Sequence, residues 1–111
     1  MKKTVIYNKL IRDKIPAIIK KDGWKPVLKT LNKKDFFQEA KKKILEEARE
    51  LSAAESRDNV INEIVDIQEL INVLTRELKL SPARINNLRK SKNKKRGGFK
   101  KRLFLMREEK Q

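Results

Sequence analysis

Two long runs free of glycine and proline, Phe36 to about Glu55 and Val60 to about Leu80, occupy the middle of the chain. Strands are shorter and alternate with a period of two, whereas these runs repeat their apolar residues at spacings of three and four. The first places Phe37, Ala40, Ile44, Ala48 and Leu51 on one stripe, the second Ile64, Ile67, Ile71, Leu74 and Leu78. Each predicts an amphipathic helix. Asp35 is the expected N-cap of the first, and Asp58 or Asn59, in the polar break Arg57-Asp58-Asn59, that of the second. So short a break returns the second helix antiparallel to the first.

The flanks are more punctuated. Pro16 at a first helical position and Asp22-Gly23 as a turn bracket one or two helical turns. Lys25 to Leu31 alternates like a short extended segment. Ser81-Pro82 opens another short helix through Ile85 and Leu88, expected to dissolve into the basic run Arg89 to Arg96 and to end at Gly97-Gly98. In the tail, Leu103-Phe104-Leu105 is expected to pack as an extended segment. These elements predict an all-α fold: one domain spanning 1–111, a helical bundle with short extended N- and C-terminal segments. Of the 111 residues, 38% are hydrophobic and only 5% aromatic, so the core is aliphatic. A chain of this length buries about 65% of its unfolded surface, and a second copy would add to that. No stretch reaches the ~18 apolar residues of a membrane helix, and the start from Met1 to Tyr7 lacks a signal peptide's apolar centre. A cytoplasmic protein with no membrane partner is expected.

Four carboxylates interrupt the apolar stripes. At about 100° per residue, Glu47 falls inside the stripe of the first long helix and Glu50 on its shoulder, with Glu46 on the outer side. On the second, Glu63 falls inside the arc and Asp66 at its edge. Taken singly, such i, i+3 pairs are usually solvated surface. Two intruding pairs on adjacent helices, with twelve residues between Glu50 and Glu63, can meet across the groove. Ionised carboxylates removed from water lose several kcal/mol each, and their wheel neighbours are mainly apolar, so a divalent cation is one way to offset that cost. The chain has no Cys and no His, which removes thiolate and imidazole ligands, disulfides, cysteine nucleophiles and Ser-His-Asp triads. Any resident metal is held by oxygen, as Mg²⁺, Mn²⁺ or Ca²⁺ are.

The segments Glu46-Glu47-Ala48-Arg49-Glu50 and Glu63-Ile64-Val65-Asp66 resemble the Glu-Glu-x-x-Glu…Glu-x-x-Asp signature of the all-α nucleoside triphosphate pyrophosphatases, the MazG-like superfamily. Tyr7-Asn8-Lys9-Leu10-Ile11-Arg12-Asp13-Lys14-Ile15-Pro16 and Lys95-Arg96-Gly97-Gly98-Phe99 resemble the ends of its stand-alone phosphoribosyl-ATP pyrophosphohydrolase-like branch. Similarity thus runs from about Tyr7 to Leu105. It implies a dimer or tetramer whose long helices pair between copies, and Mg²⁺-dependent cleavage of a nucleotide between its α and β phosphates, with Mn²⁺ as an alternative ion. Carried over residue by residue, Glu47, Glu50, Glu63 and Asp66 match the metal-binding carboxylates. Glu46 fits a supporting or intersubunit place better. Without His, a carboxylate takes up the proton, and Glu47 or Glu50 is the expected catalytic residue. Ala17 departs from the branch, which commonly carries an acid there.

Charge leaves a second reading open. The chain holds 30 Lys and Arg against 15 Asp and Glu, a net +15, which favours anionic partners. Lys92, Lys95 and Arg96 with the Gly97-Gly98 backbone, and Lys9, Arg12 and Lys14 with Asp13 orienting Arg12, are candidates for holding substrate phosphates. The same run, nine basic residues among the fourteen from Arg89 to Arg102, also suits a nucleic-acid-binding helical protein without catalysis. Against that rival, aromatics are sparse and the inward acids stay unexplained. A third reading is a catalytically inert helical dimer. Trp24, beside Gly23 and Pro26, is expected to pack over the turn.

Overall fold

The computed structural model describes residues 3–111; Met1 and Lys2, part of the stretch read for a leader, lie outside them. Four helices follow in order: α1 (Ile15–Lys21), α2 (Lys33–Ala53), α3 (Arg57–Glu77) and α4 (Pro82–Arg96). Among the described residues there is no strand, and Lys25 to Leu31 lies outside the helices, unpaired. No helix among them is long and apolar enough to cross a membrane. The chain divides into two compact units, Met1–Lys79 and Leu80–Gln111.

In the first unit α2 and α3 pack along one another, returned by three residues, Ala54 to Ser56. The caps differ from those expected. Asn32 caps α2, its Oδ1 accepting the Asp35 N–H at 2.8 Å, and Asp35 lies inside the first turn. Ser56 caps α3, its Oγ accepting the Asn59 N–H at 3.1 Å. In both cases the capping side chain stands three residues before the N–H it accepts, which leaves the later polar residue, taken from sequence as the cap, within the helix. Pro16 is in the first turn of α1, and Gly23 follows it with φ +86°, in the left-handed region that glycine enters freely. Trp24, next to that turn, is about half exposed.

The hairpin's core is thin. Ala40 and Leu70 are its buried hydrophobics, joined by Thr75, whose hydroxyl donates to the Ile71 carbonyl at 2.8 Å, and by Glu47. The face of α3 against α2 is the side carrying Glu63, Asp66, Ile67, Leu70 and Leu74, all buried or half-buried. Ile64, Ile71 and Leu78, expected inside, are exposed, together with Ile61 and Val65, and so is Ala48 on α2. The apolar arc of α3 is wider than one neighbouring helix can cover. The contact with α2 takes the edge that carries the acids.

The second unit opens as its sequence predicts, with Ser81 Oγ accepting the Arg84 N–H at 3.0 Å and Pro82 at the start of α4. Helix α4 does not dissolve at Arg89 but continues to Arg96. Arg and Lys are good helix formers, and Lys94, Lys95 and Arg96 sit at the negative end of its dipole. Gly97, at φ +82° and ψ 167°, ends it in a conformation essentially closed to other residues. The tail does not pack as expected: Leu103, Phe104 and Leu105 are 86%, 87% and 73% exposed.

Candidate metal centre

Glu47 and Glu50 lie one turn apart on α2, and Glu63 reaches across from the second turn of α3. The short return between the helices sets that register. One carboxylate oxygen from each comes within 4.8 Å of the other two. Glu47 is buried at 7% exposure, Glu63 is half-buried and Glu50 stands exposed at the rim. Glu47 Oε2 and Glu63 Oε2 are buried with no hydrogen-bond partner.

Such orphaned carboxylate oxygens are rare in proteins because each forfeits its hydration. The nearest cation to Glu47 is Lys43, whose Nζ lies 4.0 Å from Glu47 Oε1 and 3.9 Å from Glu46 Oε2. These distances are too long for hydrogen bonds. The Glu47 carboxyl is therefore pushed up to about 7, first by the close approach of the Glu63 carboxyl, then by burial and by the charges of Glu50, Glu63 and Asp66. A proton relieves the crowding at one oxygen. A divalent cation would relieve it at all three side chains, and an all-oxygen donor set suits Mg²⁺, Mn²⁺ or Ca²⁺. The donor chemistry and the two orphaned oxygens fit such an ion.

Asp66 is not part of this group. Its Oδ1 accepts from Arg12 Nη2 at 2.7 Å. Glu46 likewise accepts from Lys9 Nζ at 2.9 Å. That bond lowers the Glu46 carboxyl below its ordinary range and raises the Lys9 ammonium. Both cations come from the irregular segment before α1, where Asn8 takes a left-handed φ of 48° that Asn tolerates better than most residues. Arg12 pairs with Asp66 and not, as sequence suggested, with Asp13. Lys14 sits exposed at the N-cap of α1. A shallow pocket of about 160 Å³ opens beside this strap, lined by Asn8, Lys9, Leu10, Glu39, Lys42, Lys43 and Glu46. Lys43 stands four residues before Glu47, a helical spacing that the sequence shows. Lys92, Lys95, Arg96, Gly97 and Gly98 belong to the second unit.

Fold and site together define an all-helical protein whose hairpin carries a partly buried three-carboxylate cluster. The chain is 41% identical over 49 residues to an uncharacterized protein of Mycolicibacterium smegmatis, a match covering 44% of this chain and half the length of that relative. No family model matches the chain, and no solved structure does.

Proposed function

We propose that the protein is a divalent-cation-dependent nucleotide pyrophosphohydrolase of the MazG-like kind, releasing a monophosphate and pyrophosphate from a nucleoside triphosphate or related nucleotide. The observation that carries this reading is the orphaned pair of buried oxygens, Glu47 Oε2 and Glu63 Oε2, beside Glu50 in a site without other ligand types. Glu47, Glu50 and Glu63 would hold Mg²⁺ or Mn²⁺, with Asp66, bonded to Arg12, as the fourth carboxylate of the set. When bound, the cation neutralises charge on phosphate oxygens and makes water more acidic. With no His in the chain, Glu47 or Glu50 takes the proton, and the exposed Glu50 can pass it to solvent.

Lys9, Arg12 and Lys14 stand on the strap that flanks the acids and are assigned to the phosphates. Their charge and backbone assign Lys92, Lys95 and Arg96 with Gly97-Gly98 to the phosphates as well, and Asp13 is the acid next to Arg12 in the strap. The exposed ridge Ile64, Ile71 and Leu78, repeating every seven residues, supports a homodimer in which a second copy covers α3.

Incubating the protein with a panel of nucleoside triphosphates, with and without Mg²⁺, and assaying pyrophosphate tests the reading. Magnesium-dependent pyrophosphate release that disappears in Glu47→Gln is the expected result. Release of orthophosphate alone, or of nothing from any nucleotide, would overturn it.

A further inference from the structure

The second unit carries twelve of the 30 Lys and Arg but two of the 15 Asp and Glu, so +10 of the chain's +15 resides in its 32 residues. From Ser81 to Arg107 there is no acid at all. The ion pair found in this unit is Arg107 with Glu109, at the far end. Holding these cations together costs self-repulsion, and one bound nucleotide can use only a few of them. Nine lie outside the set assigned to it: Arg84, Arg89, Lys90, Lys94, Lys100, Lys101, Arg102, Arg107 and Lys110.

We infer that this unit is an arm for the phosphate backbone of a double-stranded nucleic acid. Its cations are arranged in line. On α4, Arg84, Arg89, Lys92, Lys95 and Arg96 fall within an arc of about 140°, and Lys90 and Lys94 stand on the opposite flank. From Arg84 to Arg96 the helix runs about 18 Å, over which a duplex presents on the order of ten phosphates. A helix with cations on both flanks can lie in the major groove between two backbones. Beyond Gly97 the chain turns, Arg102 N–H bonding to the Phe99 carbonyl at 3.1 Å, and sets Lys100, Lys101 and Arg102 beside Phe99, which is 96% exposed. An anionic membrane suits α4 less. A helix lying on lipid needs a broad apolar face, and after Pro82 the apolar residues of α4 are Ala83, Ile85 and Leu88 alone.

The test uses the full chain in EDTA, so that no divalent ion contributes. Fluorescence anisotropy follows binding to a labelled 20-base-pair duplex of DNA or of RNA between 50 and 300 mM salt, and sedimentation follows binding to phosphatidylserine-containing vesicles. Duplex binding is expected, with affinity falling steeply with salt. Replacing Arg84, Arg89, Lys90 and Lys94 by Gln should weaken it at least tenfold at 100 mM salt and reduce the salt slope by roughly 3. The same number of Gln substitutions at Lys33, Lys34, Lys41 and Lys42 of the first unit should change affinity less than threefold. The inference is overturned by no duplex binding at 50 mM salt, by an unchanged α4 variant, by a larger loss in the first-unit variant, or by vesicle binding tighter than duplex binding.

Discussion

Arg12 and Asp66 are fifty-four residues apart in the chain and 2.7 Å apart in space, joined by a charge-assisted hydrogen bond from Nη2 to Oδ1. That bond fastens the N-terminal strap to α3 beside the carboxylate cluster. It also keeps occupied the one acid of the Glu-x-x-Asp pair that stands outside the cluster. In the proposed enzyme the same arginine has two partners, Asp66 before the cation and nucleotide arrive and a phosphate afterwards.

Removing the guanidinium should therefore move two readouts in opposite directions. Arg12→Ala frees Asp66, so half-maximal Mg²⁺, read by thermal shift, should fall about threefold or more. The Michaelis constant for nucleotide should rise about tenfold. Stability alone should drop by less than ~1 kcal/mol, because both partners are partly exposed. A change in neither constant would remove Arg12 from the site.

Glu47 gives the pH dependence its sign. Its folded carboxyl holds a proton up to about 7 against an ordinary value of 4.5, so between those values the folded state binds more protons than the unfolded chain. This contribution to stability is fully present below about 4.5 and lost as pH rises through 7. Without metal, the melting temperature should fall by roughly 5 °C between pH 5 and 8. Glu47→Gln should flatten that fall, and the stabilisation given by Mg²⁺ should grow over the same interval. A Glu47→Gln profile that tracks the parent would assign the pH dependence elsewhere.

The cluster itself predicts a separation of stability from activity. Replacing Glu47 or Glu63 by Gln removes a charge from a crowded site, so the metal-free protein should be no less stable than its parent. Turnover should fall at least a hundredfold and the Mg²⁺-induced thermal shift should vanish. Circular dichroism, melting and pyrophosphate release measured on one preparation check all three.

The exposed ridge on α3 predicts association. Ile64→Asp with Ile71→Asp should raise the dimer dissociation constant at least tenfold by sedimentation, since two apolar contacts become charges at an interface. Neither side chain is part of the core of one copy, so helicity at high protein concentration should persist. A parent protein that sediments as a monomer at 100 μM would dismiss the dimer.

Loss of the Ser56 cap tests the register of the hairpin. Ser56→Ala should cost about 1 kcal/mol, about 4 °C in melting temperature. Fraying at that end moves Glu63, so Mg²⁺ binding should weaken as well. Unchanged Mg²⁺ binding at the lowered melting temperature would uncouple the cap from the site.

Much of this molecule is legible in its sequence. Helix type followed from apolar spacing, and Ser81, Pro82 and Gly97 marked the limits of α4 because cap and stop chemistry is local. Asn32 and Ser56 were missed because several polar residues near each helix start can cap, and the choice depends on how the preceding chain enters. Glu47 and Glu63 were singled out because a charge inside an apolar stripe is visible as a pattern. Lys9 and Arg12 were not recognised as partners of Glu46 and Asp66, since a pair across dozens of residues leaves no periodic trace.

The sequence by itself determined four helices and the acidic pairs on two of them, because spacing along a helix dictates which side chains share a face. Only the tertiary structure decided which edge of α3 meets α2, because an apolar arc wider than its partner can be turned more than one way. That rotation puts Glu63 against Glu47 and leaves Ile64 and Ile71 outside. It is the packing of one helix on another, and not the pattern on either, that turns separate acids into a site.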